Sequence, residues 1–154
     1  MDYSADDALG ALDAGVGKIQ GLYIGLAQEH GMSYAQVQVM YMLMQKDAVT
    51  QKQISGTCEI PKQTVNAVVR RLKCDGYVKL VPSETDKREK AVRLTTSGDA
   101  FVREQLAPFF EMNKAVVERV GADFIGRLAK DLNAVSRALE LEMELKKVKQ
   151  KWED

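Results

Sequence analysis

The chain has 154 residues, of which 45% are hydrophobic and 29% charged, and its formal net charge is zero. These values are ordinary for a globular protein with one compact domain. No apolar run approaches the roughly 18 residues that a membrane helix needs. The acidic start (Asp2, Asp6 and Asp7) is unlike a basic signal or transit peptide, so we expect a cytoplasmic protein.

Residues that carry metal or nucleophilic chemistry are scarce. Cys58 and Cys74 are the two cysteines, without CxxC spacing, and His30 is the single histidine. There is no Ser/His/Asp or Cys/His arrangement, no glycine-rich phosphate loop and no cluster of metal ligands. We therefore expect neither an enzyme nor a cofactor. Whether the two thiols are unreactive or form a redox-sensing pair stays open.

The charge is distributed unevenly along the chain. Residues 46–93 contain eleven basic and six acidic residues, a net charge of +5, so the flanking parts together carry −5. A basic module between acidic flanks is typical of a local DNA-binding face, although solvated charge alone can produce such a bias.

Two helices are predicted before the basic module. Residues 6–29 carry one apolar stripe with helical spacing, suited to a partner helix: Leu9, Leu12, Val16, Ile19, Tyr23 and Leu26. Ser33 and Gln36 form a capping box for a second helix over residues 34–45, which is apolar on much of its circumference and so is expected to be buried.

The pattern then predicts two helices joined by a tight turn. Thr50 and Gln53 form another capping box, opening a short helix to about Gly56, and Pro61 suits the first turn of the next helix. The buried stripe of that next helix is Val65, Val68, Val69 and Leu72. Its other side is polar and cationic, with Lys62, Gln63, Thr64, Asn66, Ala67, Arg70 and Lys73. Such a helix can read base edges at its N-terminal end and contact phosphates at its far end, or it can simply be a solvated amphipathic helix.

A two-stranded ribbon is predicted to follow Gly76. Residues 77–81 and 91–94 read as strands, and the charged segment between them, residues 82–90, has Asp86, Lys87 and Arg88 at its protruding tip. Arg88 is suited to an adjacent minor groove, with Asp86 orienting it through a charge-assisted hydrogen bond. The alternative is a flexible charged hairpin.

The chain becomes helical again after Thr95. Pro108 is predicted to kink or restart this helix. After Gly121 comes a second apolar stripe: Ile125, Leu128, Leu132, Val135, Leu139 and Met143. Because the first and last helices each carry an apolar seam, we expect them to pair across a two-fold axis, the alternative being an intramolecular bundle.

Over nearly its full length the sequence resembles the MarR family of bacterial winged-helix regulators. The matching segments are SYAQVQVM (33–40), TQKQIS (50–55), TVNAVVRRLKCDGYV (64–78), DKR (86–88) and LTTSG (94–98). The resemblance implies a mainly α fold with a small β-wing. Residues 33–95 would form a winged helix-turn-helix DNA-binding domain, flanked by an N-terminal dimerisation helix (1–32) and C-terminal linker and dimerisation helices (96–154).

The resemblance also implies a function. A homodimer would bind a pseudo-palindromic operator on double-stranded DNA, usually as a repressor. Lys62, Gln63, Thr64 and Asn66 would face the major groove and Arg88 the minor groove. A small aromatic effector, bound in a site lined by Tyr34, Tyr41 and Met44, would release the protein from DNA. Two positions depart from the family pattern: Ala67 replaces a frequent DNA-contacting arginine and Glu59 a common turn glycine. A winged-helix protein-interaction module without specific DNA binding is the alternative.

Overall fold

A computed structural model describes the backbone of residues 5–83 and 88–153, and the side chains of residues 7–83 and 88–147. Within these residues the chain forms α1 (Ala5–Glu29), α2 (Tyr34–Gln45), β1 (Val49–Thr50), α3 (Gln51–Cys58), α4 (Lys62–Cys74), β2 (Val78–Pro82), β3 (Lys90–Leu94), α5 (Thr96–Val120) and α6 (Ala122–Glu153). The mainly α fold with a small β-wing is confirmed.

The predicted capping boxes define where α2 and α3 begin. The Ser33 backbone N–H donates to Gln36 Oε1 at 2.7 Å, and the Gln36 N–H donates to Ser33 Oγ at 3.2 Å. The same reciprocal pair joins Thr50 and Gln53, at 2.9 and 3.1 Å. Each box satisfies backbone donors that the first turn of a helix leaves without intrahelical partners.

The sheet has one more strand than the sequence predicted. Its order is β1-β3-β2, with both neighbours antiparallel to the central strand β3. β1 contributes only two residues, Val49 opposite Val92 and Thr50 opposite Ala91. The prediction of a two-stranded ribbon was therefore incomplete, because a strand of two residues is too short to show alternation.

A shared core holds the helix-turn-helix in place. Helix α2 contacts both α3 and α4, and α1 contacts α2. The fully buried side chains include Val39 of α2, Ile54 of α3, Val65 of α4, Val92 of β3 and Val102 of α5. Because α4 buries one side in this core, its opposite side is held at the surface.

The start of α5 is joined to the end of α4 and the start of β2. The Thr95 N–H donates to the Tyr77 carbonyl at 3.0 Å, and Thr95 Oγ1 donates to the Gly76 carbonyl at 2.8 Å. The rings of Tyr77 and Phe101 stack with their centroids 4.0 Å apart. Gly98 lies directly against the Tyr77 backbone, where a Cβ atom would come within 1.8 Å of the carbonyl oxygen. Thr95 and Gly98 of the LTTSG motif therefore hold the start of α5 against the turn between α4 and β2.

Helix α5 runs through Pro108 without interruption from Thr96 to Val120, so the expectation that the helix restarts there was wrong. Contacts between Cα atoms divide the chain into two compact units, residues 1–109 and 110–154, and the boundary falls within α5 just after Phe109. Gly121, with φ +88°, separates α5 from α6. Among the described residues, no helix has an apolar stretch sufficient to cross a bilayer.

Each unit leaves apolar side chains exposed. In the first unit most of these lie on α1: Leu9, Val16, Ile19 and Leu22. In the second they lie mostly on α6: Phe124, Leu139, Leu141, Met143 and Leu145. Large apolar side chains left exposed on long helices are candidates for an interaction surface.

Candidate nucleic-acid interface

The turn between α3 and α4 is tight and internally hydrogen bonded. Glu59 ends α3 in the left-handed conformation (φ 51°, ψ 37°), and its N–H donates to the Ser55 carbonyl. The Ile60 N–H donates to the same carbonyl at 3.2 Å, while Ser55 Oγ donates to the Ile60 carbonyl at 2.7 Å. Buried Ile54 and Ile60 pack on either side of this turn, which fixes where α4 begins.

Helix α4 exposes the side chains that the sequence predicts to face DNA. Val65, Val69 and Leu72 are buried. The selected residues on the other side, Lys62, Gln63, Thr64, Asn66, Arg70 and Lys73, are all exposed. Within this set, Gln63, Asn66 and Arg70 share one face with Ala67 because they follow the i, i+3, i+4, i+7 spacing. The face therefore presents two amides, one methyl group and one guanidinium.

The wing consists of β2, β3 and the segment between them. Five residue pairs join the strands, from Val78 opposite Leu94 to Pro82 opposite Lys90, and the Ser83 N–H extends the ribbon by donating to the Glu89 carbonyl at 3.0 Å. Arg88 is exposed close to the tip of the wing. Asp86 and Lys87, the other two residues selected in the wing, lie outside the described residues.

One contact of the wing was not foreseen. Arg93 of β3 forms an ion pair with Asp47, in the loop between α2 and β1. Arg93 Nη2 donates to Asp47 Oδ2 at 2.5 Å, and Arg93 Nε donates to the Asp47 backbone carbonyl at 3.3 Å. The two residues are 46 positions apart in sequence, so local spacing carries no signal for the pair.

Cations dominate the exposed surface of the helix-turn-helix and wing. Exposed lysine and arginine side chains are contributed by α3, by α4 and by the wing: Lys52, Lys62, Arg70, Arg71, Lys73, Lys79, Arg88 and Lys90. Positive charges beside exposed amides are chemically suited to phosphate oxygens and base edges.

The three residues selected for a ligand site lie on one helix, α2, in different surroundings. Tyr34 is half-buried with its ring 6.2 Å from that of Tyr23, and burial, followed by the neighbouring Tyr23 and Cys58, raises the pKa of its hydroxyl. Tyr41 is 41% exposed. Met44 lines an open cleft of about 460 Å³ together with Asp47 and Arg93.

The thiols differ in exposure. Cys58 is half-buried and burial raises the pKa of its thiol, whereas Cys74 is exposed at the end of α4. A raised pKa disfavours the thiolate, which is the reactive form. In the described part of the chain, no three His, Cys, Asp or Glu residues come together in a way that could hold a metal ion.

Comparison with known proteins agrees with this architecture. The family model described as MarR family matches residues 30–89, which include the helix-turn-helix and most of the wing. No curated protein sequence is significantly similar to the chain.

Solved structures match over most of the chain. A MarR family regulator from Neisseria meningitidis is 26% identical, with a TM-score of 0.78 over 89% of this chain and 96% of the other. The transcriptional regulator BldR from Sulfolobus solfataricus is 17% identical, with a TM-score of 0.68 over 88% and 99%. MepR from S. aureus, solved as a DNA complex, is 18% identical, with a TM-score of 0.59 over 90% and 99%. The helix-turn-helix segment therefore matches the MarR family model, and a MarR family regulator from Neisseria has nearly the same overall fold as this chain.

Proposed function

We propose that this chain is a transcriptional regulator that binds double-stranded DNA through α4 and the wing. The observation that carries the proposal is the exposed face of α4, where Gln63, Asn66 and Arg70 project opposite a buried apolar stripe. An α-helix fits the major groove, and amide side chains can pair with adenine edges there. Lys62 and Thr64 flank that face, and Lys73 and Arg70 contact phosphates.

The wing adds a second contact in this proposal. Arg88 enters the adjacent minor groove, where the negative potential favours arginine, and Asp86 and Lys87 complete the tip. Direct base contacts then come from α4, whereas the wing reads groove width and shape. Because the bacterial chromosome lies in the cytoplasm, a protein with this function resides there.

The proposed active form is a homodimer. The exposed apolar residues of α1 and α6, among them Leu22 (64% exposed) and Met143 (59% exposed), suit burial against a second copy. The dimerisation parts are residues 1–32 and 96–154, on either side of the DNA-binding part at 33–95. A two-fold axis would place the two α4 helices about 34–36 Å apart, one turn of B-DNA, so that each copy reads half of a pseudo-palindromic operator.

Repression is the proposed mode of action, because a dimer seated on an operator blocks access to the promoter. A small aromatic effector bound beside Tyr34, Tyr41 and Met44 would release it if the effector prefers the conformation that does not fit DNA. The half-buried Tyr34 next to Tyr23 offers an aromatic surface for such a ligand.

A second candidate function is a winged-helix module that binds protein and not DNA. Ala67 favours it, because this exposed position in the middle of the α4 face offers a methyl group and no cation. The two functions differ in salt dependence, since DNA binding releases counterions and weakens steeply as salt rises.

A gel shift on the chromosomal DNA upstream of the protein's own gene tests the proposal. The parent protein should bind a specific fragment, and Arg88→Ala should bind it roughly tenfold more weakly because a minor-groove cation is lost. Arg103→Ala, which removes the same charge from an exposed position on α5, is the matched control and should bind like the parent. Absence of any shift at low salt would favour the protein-binding module.

A further inference from the structure

We propose that Asp47 and Arg93 form a positioning pair, the wing clamp, which sets the direction of the wing relative to α3 and α4. The inference rests on the proposed DNA-binding function. Arg93 donates from two different nitrogens, Nη2 and Nε, to the side chain and the backbone of the same residue. Two hydrogen bonds from one planar guanidinium define an orientation as well as a distance.

The wing clamp lies at the end of the β1–β3 pairing, which connects the wing to the helix-turn-helix. β1 pairs with β3 at only two positions, and the last pair on this side is Val49 with Val92. Arg93 is the next residue of β3 beyond that pair. Thr50, the other residue of β1, is also the N-cap of α3. The clamp therefore lengthens a very short ladder that links the wing directly to the first helix of the helix-turn-helix.

Charge across the sheet supports the same role. Lys79 lies directly opposite Arg93 in the β2–β3 pairing, and like charges in opposed positions destabilise a strand pair. The Asp47 carboxylate offsets this repulsion while holding Arg93 on the β1 side. Asp47 is 80% exposed and Arg93 34% exposed. Solvent screening therefore keeps the pair's effect on global stability small, and its main effect is on geometry.

The wing clamp and simple electrostatics predict opposite effects on DNA binding when Asp47 is removed. Asp47 is an exposed anion on the basic DNA-binding module, so removing its charge should strengthen DNA binding if only long-range attraction matters. If the clamp positions the wing, removing Asp47 should weaken DNA binding, because the wing must then be ordered at the moment of contact.

The test compares binding of the operator fragment by Asp47→Ala, by the reversed pair D47R/R93D and by Glu118→Ala. The last is the matched control, because Glu118 is also an exposed carboxylate paired with a cation, Lys114 of α5, and it does not line the cleft that Asp47 and Arg93 share. We expect roughly threefold weaker binding for Asp47→Ala, partial recovery in the reversed pair, and parent-like binding for Glu118→Ala. Denaturant midpoints close to that of the parent would verify that each variant is folded.

A double variant, Asp47→Ala combined with Arg88→Ala, tests whether the clamp acts through the wing. Asp47→Ala should cause no further loss in a protein that already carries Arg88→Ala, because the wing contact is gone. Binding by Asp47→Ala equal to or tighter than the parent, or full additivity with Arg88→Ala, would overturn the clamp and leave the proposed function standing. A parent protein that binds no DNA would overturn both.

Discussion

At the scale of single residues, Glu59 is the described non-glycine residue with a positive φ, at 51°. It ends α3, and its N–H donates to the Ser55 carbonyl as a left-handed cap requires. A β-carbon disfavours this conformation, which is why the resemblance to the MarR family leads us to expect glycine at this position. Glu59 is thus a strained residue that keeps the hydrogen bond of a left-handed helix cap.

Replacing this residue should stabilise the protein. Glu59→Gly removes the strained β-carbon and is expected to raise the free energy of unfolding by about 0.5–1 kcal/mol, after the entropic cost of glycine is included. Urea denaturation measures the change. Glu104→Gly, at an exposed position inside α5, is the control and should lower the free energy of unfolding by a similar amount. A loss of stability in Glu59→Gly would show that the Glu59 side chain makes a compensating contact.

At the scale of elements, helix boundaries were well predicted because caps are local. Ser33 with Gln36, and Thr50 with Gln53, are three residues apart, and both boxes are present. The exposed face of α4 was predicted for the same reason, since its apolar period is contained in the helix itself. Features that depend on distant partners were missed: the short strand β1 and the Asp47–Arg93 pair.

Pro108 shows that local sequence rules can miss the effect of tertiary packing. A proline inside a helix removes one hydrogen bond and crowds the preceding turn, so local rules predicted a kink or a restart. Helix α5 nevertheless continues, and Leu106 and Phe109, on either side of the proline, are buried. Packing of these side chains compensates for the unfavourable backbone, and a single sequence does not show such packing.

The junction between α5 and β2 makes a sharp prediction at this scale. Gly98→Ala would bring Cβ to 1.8 Å from the Tyr77 carbonyl oxygen and 2.7 Å from its carbonyl carbon. Since both atoms belong to the backbone, the helix and strand must separate, and we expect a loss of about 2–4 kcal/mol in the free energy of unfolding.

The matched control for that measurement is Gly56→Ala in α3. No heavy atom lies within 4 Å of a β-carbon built there, so the change should stabilise the protein by up to about 1 kcal/mol. Equal effects of the two substitutions would mean that α5 does not depend on close contact with Tyr77.

At the scale of the whole molecule, α1 and α6 each expose apolar side chains that suit burial against a second copy, and we predict a dimer in solution. Sedimentation should give twice the chain mass at micromolar concentration. Leu139→Glu places a charge on the apolar stripe of α6 and should shift the protein to monomer. Ala134→Glu adds the same charge at an exposed position on the opposite side of α6 from this stripe and should leave the dimer intact. A parent protein that stays monomeric would contradict the proposed operator geometry.

The central claim is that α4 and the wing bind DNA, and the salt dependence of operator binding tests it most directly. Affinity for a fluorescent operator should fall linearly with salt on logarithmic axes. Arg88→Ala should lower the slope by about one, since removing this cation from the minor groove means that about one fewer counterion is released on binding. An affinity unaffected by salt, or a slope that Arg88→Ala leaves unchanged while binding persists, would contradict a DNA contact made by the wing.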